Sequence, residues 1–333
     1  MADFQNEKAL VLNYYASLDA ADGDEIAAIM RSRTVGKYFW RGMHPFYEQR
    51  GAAAVAEVFW KPLRHSFSSL QRRQDVFMAG ANANQEVGGA WVCSMGHLMA
   101  LFDRAWLGIP PTGKLVFLPY VDFHRVHDGK ISETASFCDI LSVMQQAGQN
   151  PLPLQTGASI IAPGPRTHDG LLFGVQDPNE GDKTLGLINR MLEDLLASNL
   201  HSPRDELAST WHSDMSWFGP AGIGATYTLD RYEAQHQRPF SEGLSEIRDL
   251  GQHCCLAEGS YGGLFGWASL DMKSSGGFMG LPASDILTEM RLVDIYRRDG
   301  EKLAENWIFI DLLHFLSLQG LDVLGRMKQI NRS

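Results

Sequence analysis

The sequence predicts an α+β protein built from two copies of one unit, each with helices packed on one face of a curved antiparallel sheet. Three observations carry this. The 333-residue chain repeats itself at a fixed offset, each repeat passes from helical to strand periodicity, and a proline-rich segment separates the copies. Around Gly108 the chain reads GIPPTGKLVFLPYVDFHR, and around Gly280 it reads GLPASDILTEMRLVDIYR. The same shift of 172 residues (280 − 108) carries Asp122 to Asp294, Arg125 to Arg297, Glu133 to Glu305, Asp139 to Asp311 and Gly148 to Gly320.

In the first copy Val11, Tyr14, Tyr15 and Leu18 recur at helical spacing. A second helix starts near Asp22, with Ile26, Ile29 and Met30 on one face. In the second copy the corresponding start is Ser202-Pro203-Arg204-Asp205-Glu206: serine caps, proline takes the first helical position, and the acids favour the positive helix end. A third helix is expected over 52–64 and 229–237, each running into a proline, Pro62 or Pro239. Strand alternation follows over 75–82, 88–102, 115–127 and 130–138, with the last hairpin turning at Asp128-Gly129 and its counterpart at Asp299-Gly300. Domains are therefore expected at 1–150 and 183–333. The connector between them, 151–182, holds Pro151, Pro153, Pro163, Pro165 and Pro178, and its apolar run Leu171-Leu172-Phe173-Gly174-Val175 is suited to docking on a domain.

Composition excludes several classes of function. With 29 Lys+Arg against 39 Asp+Glu the net charge is −10, and no basic run exceeds Arg72-Arg73 or Arg297-Arg298, so no nucleic-acid partner is expected. The first eight residues lack a signal-peptide pattern and no stretch approaches the roughly 20 apolar residues of a membrane span, which predicts a cytoplasmic protein without a membrane partner. Four cysteines, two of them adjacent at Cys254 and Cys255, give neither a disulfide framework nor a zinc spacing, and no metal site is expected. The run Gly219 to Gly224 lacks the Lys-Ser/Thr of a phosphate loop and reads as a turn. Asp139 and Asp311 read as N-caps of short C-terminal helices.

Strand parity selects the candidate site. Tyr120, Asp122 and His124 share one face, as do Leu292, Asp294 and Tyr296; on the last strand Ser136 and, in the second copy, Asn306 and Ile308 share a face. A carboxylate flanked by apolar neighbours at the same place in both copies suits either acid/base chemistry at a raised pKa or plain hydrogen-bond acceptance. His124 adds a proton relay to Asp122, and Tyr296 a hydroxyl donor to Asp294. Asn306 is a candidate donor to a developing oxyanion. Trp307 and Phe309 on the opposite parity suggest a sheet buried on both faces, against the other copy.

The stretch GIPPTGK, then DFHRVHDGKISE, Asp139 and Gln145-Gln146-Ala147-Gly148, resembles the SnoaL-like polyketide cyclase family of the nuclear-transport-factor-2-like, or cystatin-like, superfamily. GLPAS, VDIYRRDG, ENWIFIDLLH and LQGLD in the second half resemble it too, over about 140 residues of each half. The resemblance implies two tandem cone-shaped α+β barrels, each with a cofactor-free pocket between helices and concave sheet in which a polar dyad moves protons. It places the family's second acid at Ser136 and Ile308, so both copies lack it, and the family's histidine at Asp122 and Asp294. Trp40 and His44 in one copy, and His212 and Trp217 in the other, would line the cone mouths. The resulting expectation is a cofactor-independent cyclase, isomerase or dehydratase for an apolar small molecule, with Asp294 and Asp122 as acid/base groups. The alternative is a non-catalytic binder in which one domain is a structural pseudo-subunit. The two domains are expected to form an internal pseudo-dimer, compatible with further homo-oligomerisation.

Overall fold

The computed structural model describes residues 3–330. In the first half, helices Gln5–Ala20 and Ile26–Arg33 lead into β1 (Thr34–Gly42) and β2 (Glu48–Arg50). A third helix, 52–66, precedes β3 (Phe67–Ala81), β4 (Ala90–Phe102), β5 (Leu115–His127) and β6 (Lys130–Cys138), and helix Ile140–Gln146 follows. The sheet order is β2-β1-β6-β5-β4-β3, with only the β1/β6 pair parallel. The second half repeats this plan: helices Pro178–Ala197 and Arg204–Thr210, β7 (Trp211–Phe218), β8 (Ala225–Tyr227) and a third helix, 229–243. After these come β9 (Leu244–Asp249), β10 (Cys254–Glu258), β11 (Tyr261–Ser274), β12 (Thr288–Asp299) and β13 (Lys302–Ile310), then helices Leu312–Leu318 and Val323–Ile330. Here β9 and β10 both pair with β11 and together take the place of the unbroken β3. Each half is thus an α+β cone, its helices over the concave face of a twisted sheet.

Three boundaries differ from the sequence expectation, for local reasons. Both third helices run past their prolines because one turn widens to a π-turn, Ala56–Trp60 and Glu233–Gln237. Pro62 and Pro239 then fall in the first turn of the segment that follows, where a missing N–H costs little. The second half's regular structure begins at Pro178 rather than 183, since Asp177 accepts from the Asn179 N–H and Pro178 opens the helix. Finally, β3 starts at Phe67 and carries two register shifts, which blurred its alternation.

The connector is spent on sheet edges. Phe77 N donates to Gly170 O (2.8 Å) and Leu172 N to Phe77 O (2.9 Å), while the Phe173 ring packs on Phe77. Farther back, Ala158 and Ala225 exchange both backbone bonds, at 2.7 and 2.9 Å. The connector thereby covers the outer strand of each sheet, β3 and β8, where unpaired backbone groups would invite aggregation. It also covers Trp307, whose Nε1 donates to Pro163 O (2.8 Å), so this residue lies under the connector.

The convex faces of the two sheets meet. Phe123 packs on Phe265 (5.0 Å between centroids), Trp91 on Phe265 (5.6 Å) and Phe137 on Trp267 (5.4 Å). Beside this apolar contact, Asn82 Oδ1 accepts from Cys255 N, and its Nδ2 donates to His253 O. The buried Lys8 ammonium pairs with Glu258 of the other half. Two aspartates close the contact reciprocally. Asp139 accepts from Ser142 N, capping its own helix, and from Ala221 N (2.8 Å) in the other half; Asp311 caps through His314 N and accepts from His44 N (2.9 Å). Ala221 is His44 displaced by 177 residues (221 − 44), as Asp311 is Asp139 displaced by 172 (311 − 139), so the two bonds are related by a local pseudo-two-fold.

Because each carboxylate satisfies two buried N–H groups, losing it removes a cap and orphans a donor across the contact. Asp139→Ala and Asp311→Ala are each expected to lower stability by about 1–3 kcal/mol in urea denaturation, whereas loss of the cap alone would cost the lower end of that range.

Candidate functional site

Between the concave face of the second sheet and the helices above it lies a cavity of about 180 Å³. Parity on β12 and β13 turns Asp294, Tyr296, Asn306 and Ile308 into it; β7 contributes Trp217, and helix Pro178–Ala197 supplies an aliphatic wall. A dry cavity of about 150 Å³ holds benzene, so this space suits a body of one or two rings. Asn306 Nδ2 donates to Asp294 Oδ1 (3.0 Å) and also to Ile295 O (3.1 Å). Both amide hydrogens are committed, which makes Asn306 a holder of the carboxyl rather than the free oxyanion donor expected from sequence. Burial raises the Asp294 pKa from 3.8 to about 6, with bonds from Asn306 and Tyr296 pulling part of the way back. The Tyr296 hydroxyl, pushed well above its ordinary value by burial and by Asp294, stays protonated and able to donate.

The first cone is filled. Its cavity is about 20 Å³, because the Arg72 side chain enters it from β3. The guanidinium lies 3.8 Å from the Tyr15 ring centroid and 4.8 Å from that of Tyr120, with its Nη1 3.6 Å from Asp122 Oδ2. Tyr15 donates to Asp122 (3.0 Å) and touches His124 Nε2 (2.7 Å), whose Nδ1 meets Thr134 Oγ1 (2.8 Å). Asp122 and His124 are therefore linked through a tyrosine, 4.0 Å apart at closest approach, and burial lowers the His124 pKa to about 4. One arrangement satisfies both ring nitrogens: a neutral imidazole protonated on Nε2, donating to Tyr15 and accepting from Thr134.

The second cone has no such cation. Arg72 pairs with Leu98 across β3/β4, and Leu270, 172 residues beyond Leu98, pairs with Asp249. An exposed acid at the cavity mouth stands where the first half has its arginine. The rings around the guanidinium change too. Tyr120 becomes Leu292, and Tyr15, counted from the helix ends Ala20 and Ala197, becomes Leu192.

Of the other candidates, Trp40 and Ser136 meet in the first cone, where Trp40 Nε1 donates to Ser136 Oγ (2.9 Å). His44 does not enter a cone; its backbone is held by Asp311 at the contact between halves. His212, one residue from the inward Trp211, points outward and bonds Asp299 O. Not among those candidates were Asp249, Tyr232, Gln237 and His236, which also line the second cavity. His236 stacks on Trp217 at 3.8 Å, and burial lowers its pKa to about 3, leaving it neutral.

Residues 35–147 match the model of the SnoaL-like polyketide cyclase family. The match lies wholly within the first half. The α+β plan of that half is present twice in tandem. Among solved structures, a protein described as a SnoaL-like polyketide cyclase from Jannaschia sp. is 23% identical, over 45% of this chain and 95% of that one, with a TM-score of 0.37. An NTF2-like protein from Burkholderia xenovorans is 13% identical, over 42% and 97%, with a TM-score of 0.34. No curated protein matches the chain. Among the described residues no helix is long and apolar enough to cross a membrane, and no group of three or more His, Cys, Asp or Glu is placed to hold a metal ion.

Two predictions follow from the unlike carboxylates. A buried acid with a raised pKa binds its proton more tightly folded than unfolded, so stability is greatest below the unfolded pKa and declines as pH rises toward the folded one. Asp294 should therefore withdraw about 2 kcal/mol between pH 4 and pH 6, of about 3 kcal/mol in all by pH 7. Asp294→Asn should flatten that part of a stability profile measured by denaturation, leaving the contribution of Asp311, which burial raises to about 7 with the same sign. In the first cone, Arg72→Met strands the Asp122 charge and is expected to cost about 3–5 kcal/mol; adding Asp122→Asn should recover most of it.

Proposed function

We propose that the second cone is the active cavity of a cofactor-independent enzyme of cyclase, isomerase or dehydratase type, acting on an apolar carbonyl compound. The observation that carries this reading is Asp294, a carboxyl poised near neutrality in an open apolar cavity while its twin Asp122 lies beneath an arginine. As the base, Asp294 takes a proton from the carbon beside the substrate carbonyl. The electron pair of that C–H bond becomes the new C=C bond, and the carbonyl π pair moves to oxygen. As that proton neutralises Asp294, Tyr296 turns its single hydroxyl hydrogen from the carboxyl to this oxyanion, and Asn306 keeps the carboxyl in place. Return of the proton to another carbon is isomerisation, loss of a β-hydroxyl as water is dehydration, and attack on a second carbonyl is cyclisation. The first cone serves as the structural partner of the working one.

One observation favours a second reading, a binder without chemistry: Ile308 occupies the position that the family resemblance assigns to its second acid. A single experiment separates the two. Incubated with 1-tetralone in D2O, the protein should exchange the protons beside the carbonyl, followed by 1H NMR, at a rate that rises with pH through about 6. Asp294→Asn should slow exchange by about 10²-fold or more. Exchange at the wild-type rate in that variant would overturn the assignment, and saturable binding with no exchange would establish the binder.

A further inference from the structure

Two adjacent residues of the second cavity carry buried polar groups that the protein leaves unpaired. Gln237, only 1% exposed, has the Tyr232 hydroxyl beside its amide nitrogen and no further partner among the described residues, leaving Oε1 and the second Nε2 hydrogen unpaired, and His236 has no partner at Nδ1. Both residues line the cavity, on the π-turn Glu233–Gln237. The first half has Phe59 and Trp60 at these positions (236 − 177 and 237 − 177), in its own π-turn, packed among aromatic rings. A purely apolar ligand would leave these three buried polar groups unpaired, which is strongly disfavoured.

We infer that the ligand of the second cone carries, beside its reacting carbonyl, an uncharged primary carboxamide held by Gln237 and His236. The inference rests on the reading of this cone as a ligand cavity and names the class of molecule it takes. The Gln237 oxygen, its second amide hydrogen and His236 Nδ1 match that group in number and kind. A carboxamide N–H meets Gln237 Oε1, its C=O accepts from Gln237 Nε2, and its second N–H meets His236 Nδ1 in the tautomer protonated on Nε2. A carboxylate fits poorly, because no Lys or Arg lines the cavity and Asp294 already does. A hydrocarbon arm fits poorly because it satisfies none of the three. Asp294 and Asn306 on the sheet and Gln237 on the opposing helix then grip the ligand at two points, fixing which carbon faces the base.

The test compares phenylacetamide with isobutylbenzene, its hydrocarbon isostere, by NMR titration of the full chain. Using the ratio of the two dissociation constants, wild type over variant, cancels the hydration of each compound. Gln237→Leu is expected to shift that ratio at least tenfold in favour of the hydrocarbon, and Gln237→Met, which keeps the unbranched chain, should do the same if the leucine variant folds poorly. In the wild type, the Gln237 side-chain amide signals should move with phenylacetamide and stay put with isobutylbenzene. An unchanged ratio, or Gln237 signals indifferent to the amide, overturns the inference and leaves the cavity reading standing. Failure of both compounds to bind overturns the cavity reading itself.

Discussion

A carboxylate buried at the same point of two cones has to be compensated, and the halves of this chain do it differently. In the first, Arg72 supplies a counter-charge and Tyr15 a hydrogen bond, and the side chains that do so consume the space. In the second, Asn306 and Tyr296 offer neutral donors only and the aromatic rings are replaced by leucines, so the carboxyl keeps its proton up to about pH 6 and the space stays open. A charge in a low-dielectric site is neutralised by a partner or by a proton. The choice between these separates a filled core from an open cavity with a protonatable carboxyl on its wall.

That divergence is possible because the convex faces answer to a different constraint. Each sheet has a large apolar outer face that must be covered, and each covers the other through Phe123, Phe265 and Trp91. The reciprocal bonds of Asp139 and Asp311 set the orientation, since each carboxylate must reach a backbone N–H in one particular loop of the other half. The connector completes the arrangement by pairing with the outer strand of both sheets, which ties the halves together along edges as well as faces.

Much of this was legible in the residues. The offset between Gly108 and Gly280, the turns at Asp128-Gly129 and Asp299-Gly300, and the parity of Asp122 and Asp294 depend on period-2 alternation and glycine geometry, which sequence displays directly. The contents of the cones were less visible. Arg72 lies between two register shifts in β3, so counting parity back from the regular part of that strand loses its phase. Gln237 and His236 lie on a π-turn, which breaks the 3.6-residue period just before a proline that normally signals a helix end. His212 was readable in principle, because its neighbour Trp211 faces inward and alternation turns it out. Irregular backbone hid most of the missed residues, and such irregularity recurs where proteins aim side chains for a purpose.

Covalent duplication changes what a filled cone costs. In an assembly of identical chains, a substitution such as arginine at position 72 would appear in every subunit and close every cavity at once. With the copies in one chain, position 72 and position 249 vary separately, and the first cone can collapse into a well-packed aromatic core without touching the second. The filled cone then has a mechanical use. Its rigid interior, with Arg72 gripped by Tyr15, Tyr120 and Asp122, backs the sheet against which the second cone's own sheet is packed. Asp294 needs such backing, since its raised pKa depends on staying buried and its orientation on Asn306 holding position on β13. An open cavity is the least constrained part of a fold, and here the half with no cavity holds its walls in place.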